Sequence, residues 1–281
     1  MKKIICIFTA VFFCVSILFF ERTFAEEGSD NMNGIENKNS AIKNLRLDIV
    51  YDNNLWEEEM KPDWGFGCLI RGAGPALLFD TGAKGEILRD NMKKMNIDPK
   101  DIELIFISHD HWDHTGGLAD VLKQCERPAV YMLKSFSRKI KDEPEKAGAA
   151  LIEITTSTQI GDNIITTGEM GTDIKEHSMI LKTQQGLVIV TGCAHPGIVE
   201  ITRKVKELFK DDIFLIIGGF HLVRDSEESI NAIIDELKKM GVRYAAPCHC
   251  SGDDARRLFK KAFGENYIEV GVGKTIDLSE L

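Results

Sequence analysis

Ser108-His109-Asp110-His111-Trp112-Asp113-His114-Thr115-Gly116-Gly117 follows directly on an apolar run of strand length, Ile102 to Ser108. Three imidazoles and a carboxylate that can bind a cation fall between positions 109 and 114. A strand end and the loop after it aim His109 and His111 at one point, and the next turn brings Asp113 and His114 to a second point beside it. Imidazole together with carboxylate suits Zn, Fe or Mn, and two adjacent clusters suit a pair of ions. In a chain of 281 residues with only 7 histidines, so dense a group is not an ordinary surface loop.

Outward from this stretch the chain reads as strands and helices in alternation. Upstream, Leu47 to Tyr51, Cys68 to Arg71 and Ala76 to Phe79 are apolar runs of strand length, the last two parted by the Gly72-Ala73-Gly74-Pro75 turn. A helix carrying Ile87, Leu88, Met92 and Met95 precedes the motif strand, and another is expected from near Gly116. Downstream come strands at Ala129 to Leu133, Leu151 to Thr156 and Ile164 to Thr167, then a hairpin of Met179 to Lys182 with Leu187 to Thr191 around Gln184-Gln185-Gly186. The remainder predicts helix 198–209, strand 213–217, helix 226–240, strand 242–246, helix 253–263 and strand 267–272. Two β-rich openings, each leading into strand-helix units, predict an α/β fold with two sheets facing each other and helices on the outer faces.

Lys2 and Lys3, an apolar run from Ile4 to Phe20, and Thr23-Phe24-Ala25 before Glu26 have the layout of a secretory signal, which predicts cleavage after Ala25 and an exported protein. The other reading is an uncleaved anchor through residues 4–20, and the membrane is expected as a partner only in that case. Residues 26–44 read as a flexible polar lead-in, and 45–281 as one domain. With 43% hydrophobic and 28% charged residues, that body has an ordinary globular composition. Loss of residues 1–25 removes Lys2, Lys3, Arg22 and Glu21, a net +2, and takes the charge from −9 to −11. Such a surface repels phosphate backbones, so a small-molecule substrate is expected and nucleic acid is not. Five cysteines follow the leader, an odd number at irregular spacing and so no disulfide framework; Cys248-His249-Cys250 lacks the spacing of a zinc ribbon.

His109-x-His111-x-Asp113-His114, extended by Gly116-Gly117-Leu118, resembles the signature of the metallo-β-lactamase superfamily. Leu78-Phe79-Asp80-Thr81-Gly82, Val188 to Cys193 with Ala194-His195-Pro196-Gly197, Gly218-Gly219-Phe220-His221-Leu222 and Pro247-Cys248-His249-Cys250 resemble its other motifs in order. The resemblance spans about residues 45 to 275 and implies an αββα sandwich of two mixed sheets, with a site for two divalent metal ions, zinc foremost and Fe or Mn as alternatives. The later motifs resemble a narrower branch, related to the synthase of dihydropterin-linked ribofuranosylaminobenzene phosphate, most of whose members are metal-dependent hydrolases.

On this resemblance His109 and His111 hold one ion, with His195 as third ligand, unless His195 instead caps the helix that follows. Asp113, His114 and His249 hold the second ion. Most superfamily members carry a bridging aspartate where this chain has Gly192-Cys193, so Cys193 is either the bridging ligand or a small buried apolar group. His177 is an alternative for a missing histidine, with a solvent or core position as the plainer expectation. Asp80 is expected to accept a hydrogen bond from a ligating imidazole and fix its tautomer. Asp113 and His221 are expected to act on the reacting groups, His221 protonating a leaving group or holding a substrate anion, with metal ligation as the alternative. Lys84 either binds an anionic group at the same rim or is solvated. Trp112 is expected in packing, and Trp56 and Trp64 in a flap over the site. Three functions follow: a hydrolase that turns metal-activated water on a small ester, lactone, amide or phosphoester; a transferase of the pterin synthase kind; or a metal-binding protein without turnover.

Overall fold

The computed structural model describes residues 41–281. The expected leader and residues 26–40 of the lead-in lie outside the described residues. Of the lead-in residues that are described, Ile42 is buried and pairs with Thr183, its N–H donating to Lys182 O at 3.0 Å. The folded body therefore begins ahead of the expected Leu45. Among the described residues no helix is long and apolar enough to cross a membrane.

Strands β1 (Arg46–Asp52), β2 (Phe66–Arg71), β3 (Ala76–Phe79), β4 (Ile102–Phe106), β5 (Ala129–Leu133) and β6 (Ala150–Ile154) form one sheet; β7 (Thr156–Gly161), β8 (Ile164–Gly168), β9 (Met179–Thr183), β10 (Gly186–Thr191), β11 (Ile213–Gly219) and β12 (Tyr244–Cys248) form the other. A last strand, β13 (Thr275–Asp277), returns to the first sheet, giving orders β13-β1-β2-β3-β4-β5-β6 and β12-β11-β10-β9-β8-β7. Both sheets are mixed: β3 to β6 run parallel, as do β10 to β12, while β1-β2-β3 and β7-β8-β9-β10 are antiparallel.

Alternation along β10 shows how the layers stack. Val188 and Val190 join the apolar layer that also holds Leu47, Phe79 and Phe106 of the first sheet, whereas Leu187 and Ile189 point the other way, into the layer beneath the helices. Helices α1 (Gly85–Lys94), α2 (Trp112–Thr115), α3 (Leu118–Leu122) and α4 (Arg138–Ala147) follow strands of the first sheet; Ile87, Leu88 and Met92 of α1 and Val121 of α3 pack into its core. Helices α5 (Ile198–Leu208), α6 (Glu227–Lys239) and α7 (Asp253–Phe263) cover the second sheet with Ile201, Val205, Ile234, Leu237, Leu258 and Phe259. The architecture is the αββα sandwich.

Helix α4 and strand β13 were not expected, and two further segments depart from expectation. Residues 267–272 do not form a strand: their backbone bonds are divided among β12 (Ile268 N–H to Ala245 O, 3.0 Å) and the 54–56 loop (Val272 N–H to Asn54 O, 2.8 Å), so no single ladder forms. Strand β7 was not expected because its sequence, Thr-Ser-Thr-Gln-Ile-Gly, is polar and mostly exposed, as suits the edge of a sheet.

His177 lies in the core. Its Nε2–H donates to Ile107 O at 2.7 Å, Nδ1 accepts from Thr166 Oγ1 at 2.9 Å, and the ring stacks on Phe106 at 4.1 Å. Burial drives its pKa down from 6.5 to about 3. Between those values the unfolded chain takes up a proton that the folded chain refuses. Stability is thus full above pH 6.5 and falls as pH drops through this window, by about 1.4 kcal/mol per pH unit. In His177→Asn the unfolding free energy, measured by denaturant titration between pH 6 and 4, is expected to depend on pH less steeply by about that amount; equal slopes would place the acid sensitivity elsewhere.

Candidate metal centre

The candidate ligands all come from the carboxyl ends of strands. β4 delivers His109 and His111, and α2 begins inside the motif, so its single turn presents Asp113 and His114 together. β10 delivers Cys193 and His195, β11 delivers His221, and β12 delivers His249 and Cys250. Four residues here hold left-handed backbone: Asp80 (φ 56°), Ala194 (56°), His221 (55°) and His249 (47°). Each costs about 1–3 kcal/mol, a strain that persists only where surrounding contacts impose it.

Two convergent sets result. His109 Nε2 and His111 Nδ1 lie 3.2 Å apart, and the His195 ring lies 4.8 and 4.9 Å from theirs. Asp113 Oδ2 lies 3.3 Å from His249 Nε2 and 3.8 Å from His114 Nε2. Cys193 belongs to both: its Sγ lies 3.2 Å from His114 Nε2, and its sulfur groups within 4.8 Å with the ring nitrogens of His109 and His195 on one side and of His114 and His249 on the other. Cys193 is buried, as are His109, His114, Asp113 and His249; His111 and His195 are partly exposed and His221 is open to solvent.

Hydrogen bonds fix which ring atoms face inward. Ser108 Oγ donates to Asp80 Oδ2 at 2.7 Å and therefore accepts from His109 Nδ1–H at 2.9 Å, leaving the His109 Nε2 lone pair free. Asp80 Oδ2 takes the His114 Nδ1–H at 2.7 Å, with the same result. Asn53 donates through Nδ2 to His249 O, so its Oδ1 accepts from His249 Nδ1–H at 2.8 Å. Ser108 and Asn53 escaped the sequence reading because neither belongs to a ligand type; Ser108 adjoins the motif, while Asn53 carries no local signal.

Glu176 is the larger omission. Its buried Oε1 accepts from the N–H groups of Gly192 (3.1 Å), Cys193 (3.0 Å) and Ala194 (2.9 Å) and from Thr191 Oγ1 (3.0 Å), while Oε2 accepts from His195 N–H (2.8 Å). Burial raises its pKa, opposed by the donated bonds from His195 and Ala194. A carboxylate beside His177 was the visible signal, but only the fold brings the 192–195 loop around it.

The electrostatics favour a cation. Burial, followed by the neighbouring imidazoles, pushes His109 well below its ordinary value, and burial with His221 and His111 lowers His195 to about 3. Both rings are thus neutral with lone pairs available. Burial also opposes charge on His114, but the Asp80 carboxylate outweighs it and raises that pKa. The buried Nε2 atoms of His195 and His249 have no hydrogen-bond partner, a costly arrangement for polar atoms unless something is bound there. The donors present fit divalent cations, with His109, His111, His195 and Cys193 on one side and Asp113, His114, His249 and Cys193 on the other.

Other expectations fare differently. Lys84 does not present a free ammonium: its Nζ pairs with Asp63 Oδ2 at 2.8 Å, because the 63–64 loop folds back over it. Trp112, expected in packing, is 63% exposed, since the single-turn helix α2 turns it away from the ligands on either side. Trp64 stands 5.1 Å from the His249 ring, whereas Trp56 lies under Lys274 Nζ at 3.7 Å.

Fold and site together define an αββα protein with two candidate ligand sets at the carboxyl ends of its strands. The family model of the metallo-beta-lactamase superfamily matches residues 68–249, and the chain belongs to that superfamily, whose fold implies divalent metal binding. It is 29% identical over 288 residues to the 7,8-dihydropterin-6-methyl-4-(beta-D-ribofuranosyl)-aminobenzene-5'-phosphate synthase of Methanocaldococcus jannaschii, covering 85% of this chain and 96% of that protein. Among solved structures it resembles a metal-dependent hydrolase of the β-lactamase superfamily at 26% identity and TM-score 0.70, over 83% of this chain and 99% of the other. A Bacillus subtilis metallo-beta-lactamase fold protein, at 13% identity and TM-score 0.62 over 83% and 99%, shares the fold.

Glu176→Gln replaces one acceptor oxygen with a donor facing backbone N–H groups. Metal affinity, measured by competition with a chromophoric chelator, is expected to fall about 10- to 100-fold, as when an outer hydrogen-bond partner of a ligand is lost. Unchanged affinity would show that the 192–195 loop holds its shape without the carboxylate.

Proposed function

We propose that this protein is a metal-dependent hydrolase acting on a small ester, lactone, amide or phosphoester. The observation that carries the reading is the pair of ligand sets sharing Cys193 and opening to solvent at His111, His195 and His221. When bound, two divalent cations, zinc foremost, supply Lewis acidity at the substrate oxygen and acidify water. The chain's own residues do the rest. Asp113, lowered below the usual carboxylate range by its contacts with His249 and His114 despite burial, stays ionised beside the reacting groups. His221, 4.5 Å from the His195 ring and raised in pKa by its bond to Cys250, stands where it can protonate a leaving group or hold an anion. Trp64, beside the His249 ring, gives the mouth apolar surface that excludes water from one side of a bound substrate. The acidic charge suits a small molecule better than a polyanion.

Chelator is expected to abolish turnover of model esters, lactones or aryl phosphodiesters, and His109→Ala to lower the metal content of the purified protein. His221→Ala is expected to reduce kcat about 10²- to 10⁴-fold with metal retained; full metal with no turnover of any model substrate would sink the hydrolytic reading. A second reading, group transfer, draws support from the similarity to the Methanocaldococcus synthase. Product release without an acceptor separates the two.

Export belongs to the same proposal, resting on the signal-like residues 1–25. Protein recovered outside the cytoplasm is expected to begin at Glu26 on amino-terminal sequencing. An intact Met1 start on membrane-retained chain would favour the anchor instead.

A further inference from the structure

Beside the two ligand sets lies a sulfur that neither uses. Cys250 is buried in the 3₁₀ turn His249–Ser251 that follows β12, and the Phe220 N–H donates to Ser251 Oγ at 3.0 Å, which ties that turn to the end of β11. The Cys250 Sγ, the Cys193 Sγ and a His221 ring nitrogen all lie within 4.8 Å of one another. Gly219 makes this approach possible: a Cβ there would stand 2.7 Å from the Cys250 sulfur and 2.4 Å from Gly192 O. With any side chain at 219, the Cys250 turn and the Gly192-Cys193 loop could not close on each other.

We propose that Cys193, Cys250 and His221 form a third ligand set, for one thiophilic divalent cation such as Zn²⁺ or Cd²⁺. Zinc sits about 2.3 Å from sulfur and about 2.0–2.1 Å from imidazole nitrogen in tetrahedral geometry, so its ligand atoms stand roughly 3.4–3.8 Å apart; the three atoms here lie within 4.8 Å of one another, and closing on an ion takes a movement of at most about 1 Å. Two sulfurs and one nitrogen select soft ions over Mn²⁺ or Mg²⁺, which prefer oxygen. Two buried thiols give the set an anchored base, and the solvent-open His221 completes it from the side where an ion enters. The ion here draws on Cys193, the sulfur that both other sets share, so a soft cation competes with the pair for that ligand. The set does not depend on hydrolysis.

The test is a Cd²⁺ titration of the full chain and of Cys250→Ser, His221→Ala and Asp113→Asn, read by thiolate-to-cadmium ultraviolet absorption and by ions counted in native mass spectrometry. The expected result is that Cys250→Ser loses about half of the absorption, one of two thiolates, and that His221→Ala, a change at an exposed position that leaves the core untouched, weakens the same ion. Unchanged absorption and ion count in Cys250→Ser would overturn the proposal. Asp113→Asn separates it from the two-set reading. A lower ion count with the Cys250-dependent signal intact supports both, whereas an unchanged count with that signal present upholds the third set and removes the pair.

Discussion

The carboxylate of Glu176 is the point on which the centre depends. A loop that turns four consecutive N–H groups inward, from Gly192 to His195, would bury four unpaired donors without an acceptor in their midst. The same residue pairs with His109 as an isolated antiparallel bridge, and the next N–H, that of His177, donates to Ser108 O at 3.0 Å. One short segment thereby locks the loop after β10 to the loop after β4. Cys193 and His195 are held against His109 and His111 by backbone chemistry rather than by their own side chains.

Around that lock the protein tolerates unfavourable backbone. Left-handed Asp80, Ala194, His221 and His249 together cost roughly 4–12 kcal/mol by the usual range per residue, which is comparable to the net stability of an ordinary domain. The apolar layers on both faces of β10 and β11 supply the offset, since nearly every side chain of those strands is buried. The strain has a use: each left-handed residue lies where a strand must turn sharply for its side chain, or its neighbour's, to face the centre.

The donor atoms are prepared in the same way. Ser108, Asp80 and Asn53 each occupy an outer ring nitrogen, so that His109, His114 and His249 present Nε2 inward. Imidazoles held in one orientation lose little freedom when a cation arrives. A sulfur at 193 in place of a carboxylate makes the centre softer than a set of nitrogen and oxygen donors, and Cys250 beside it increases that character.

Much of this was legible in the sequence because its signals are local. The His109 to His114 spacing puts four candidate ligands on one strand end and one turn of helix, and the unbroken apolar run Leu187 to Val190 marks β10 as a strand buried on both faces. The superfamily motifs also placed Asp80, Cys193, His195, His221 and His249 at strand ends before any fold was known. Glu176, Asn53 and Cys250 were not legible in this way, since their roles rest on contacts with residues distant in the chain, 196 positions away for Asn53 and His249. The polar edge strand β7 was hidden for a related reason: an edge needs no apolar face. Trp112 was misjudged, and the Asp63 partner of Lys84 was not visible, because a long side chain takes its direction from whatever the fold sets beside it, open solvent in one case and Asp63 in the other. By itself the sequence determined which residues can bind a cation and which strands carry them, because ligand type and hydrophobic period are properties of neighbouring residues. Only the tertiary structure decided which donors meet at one point, because that depends on two sheets closing and on a buried carboxylate gathering the backbone of a distant loop.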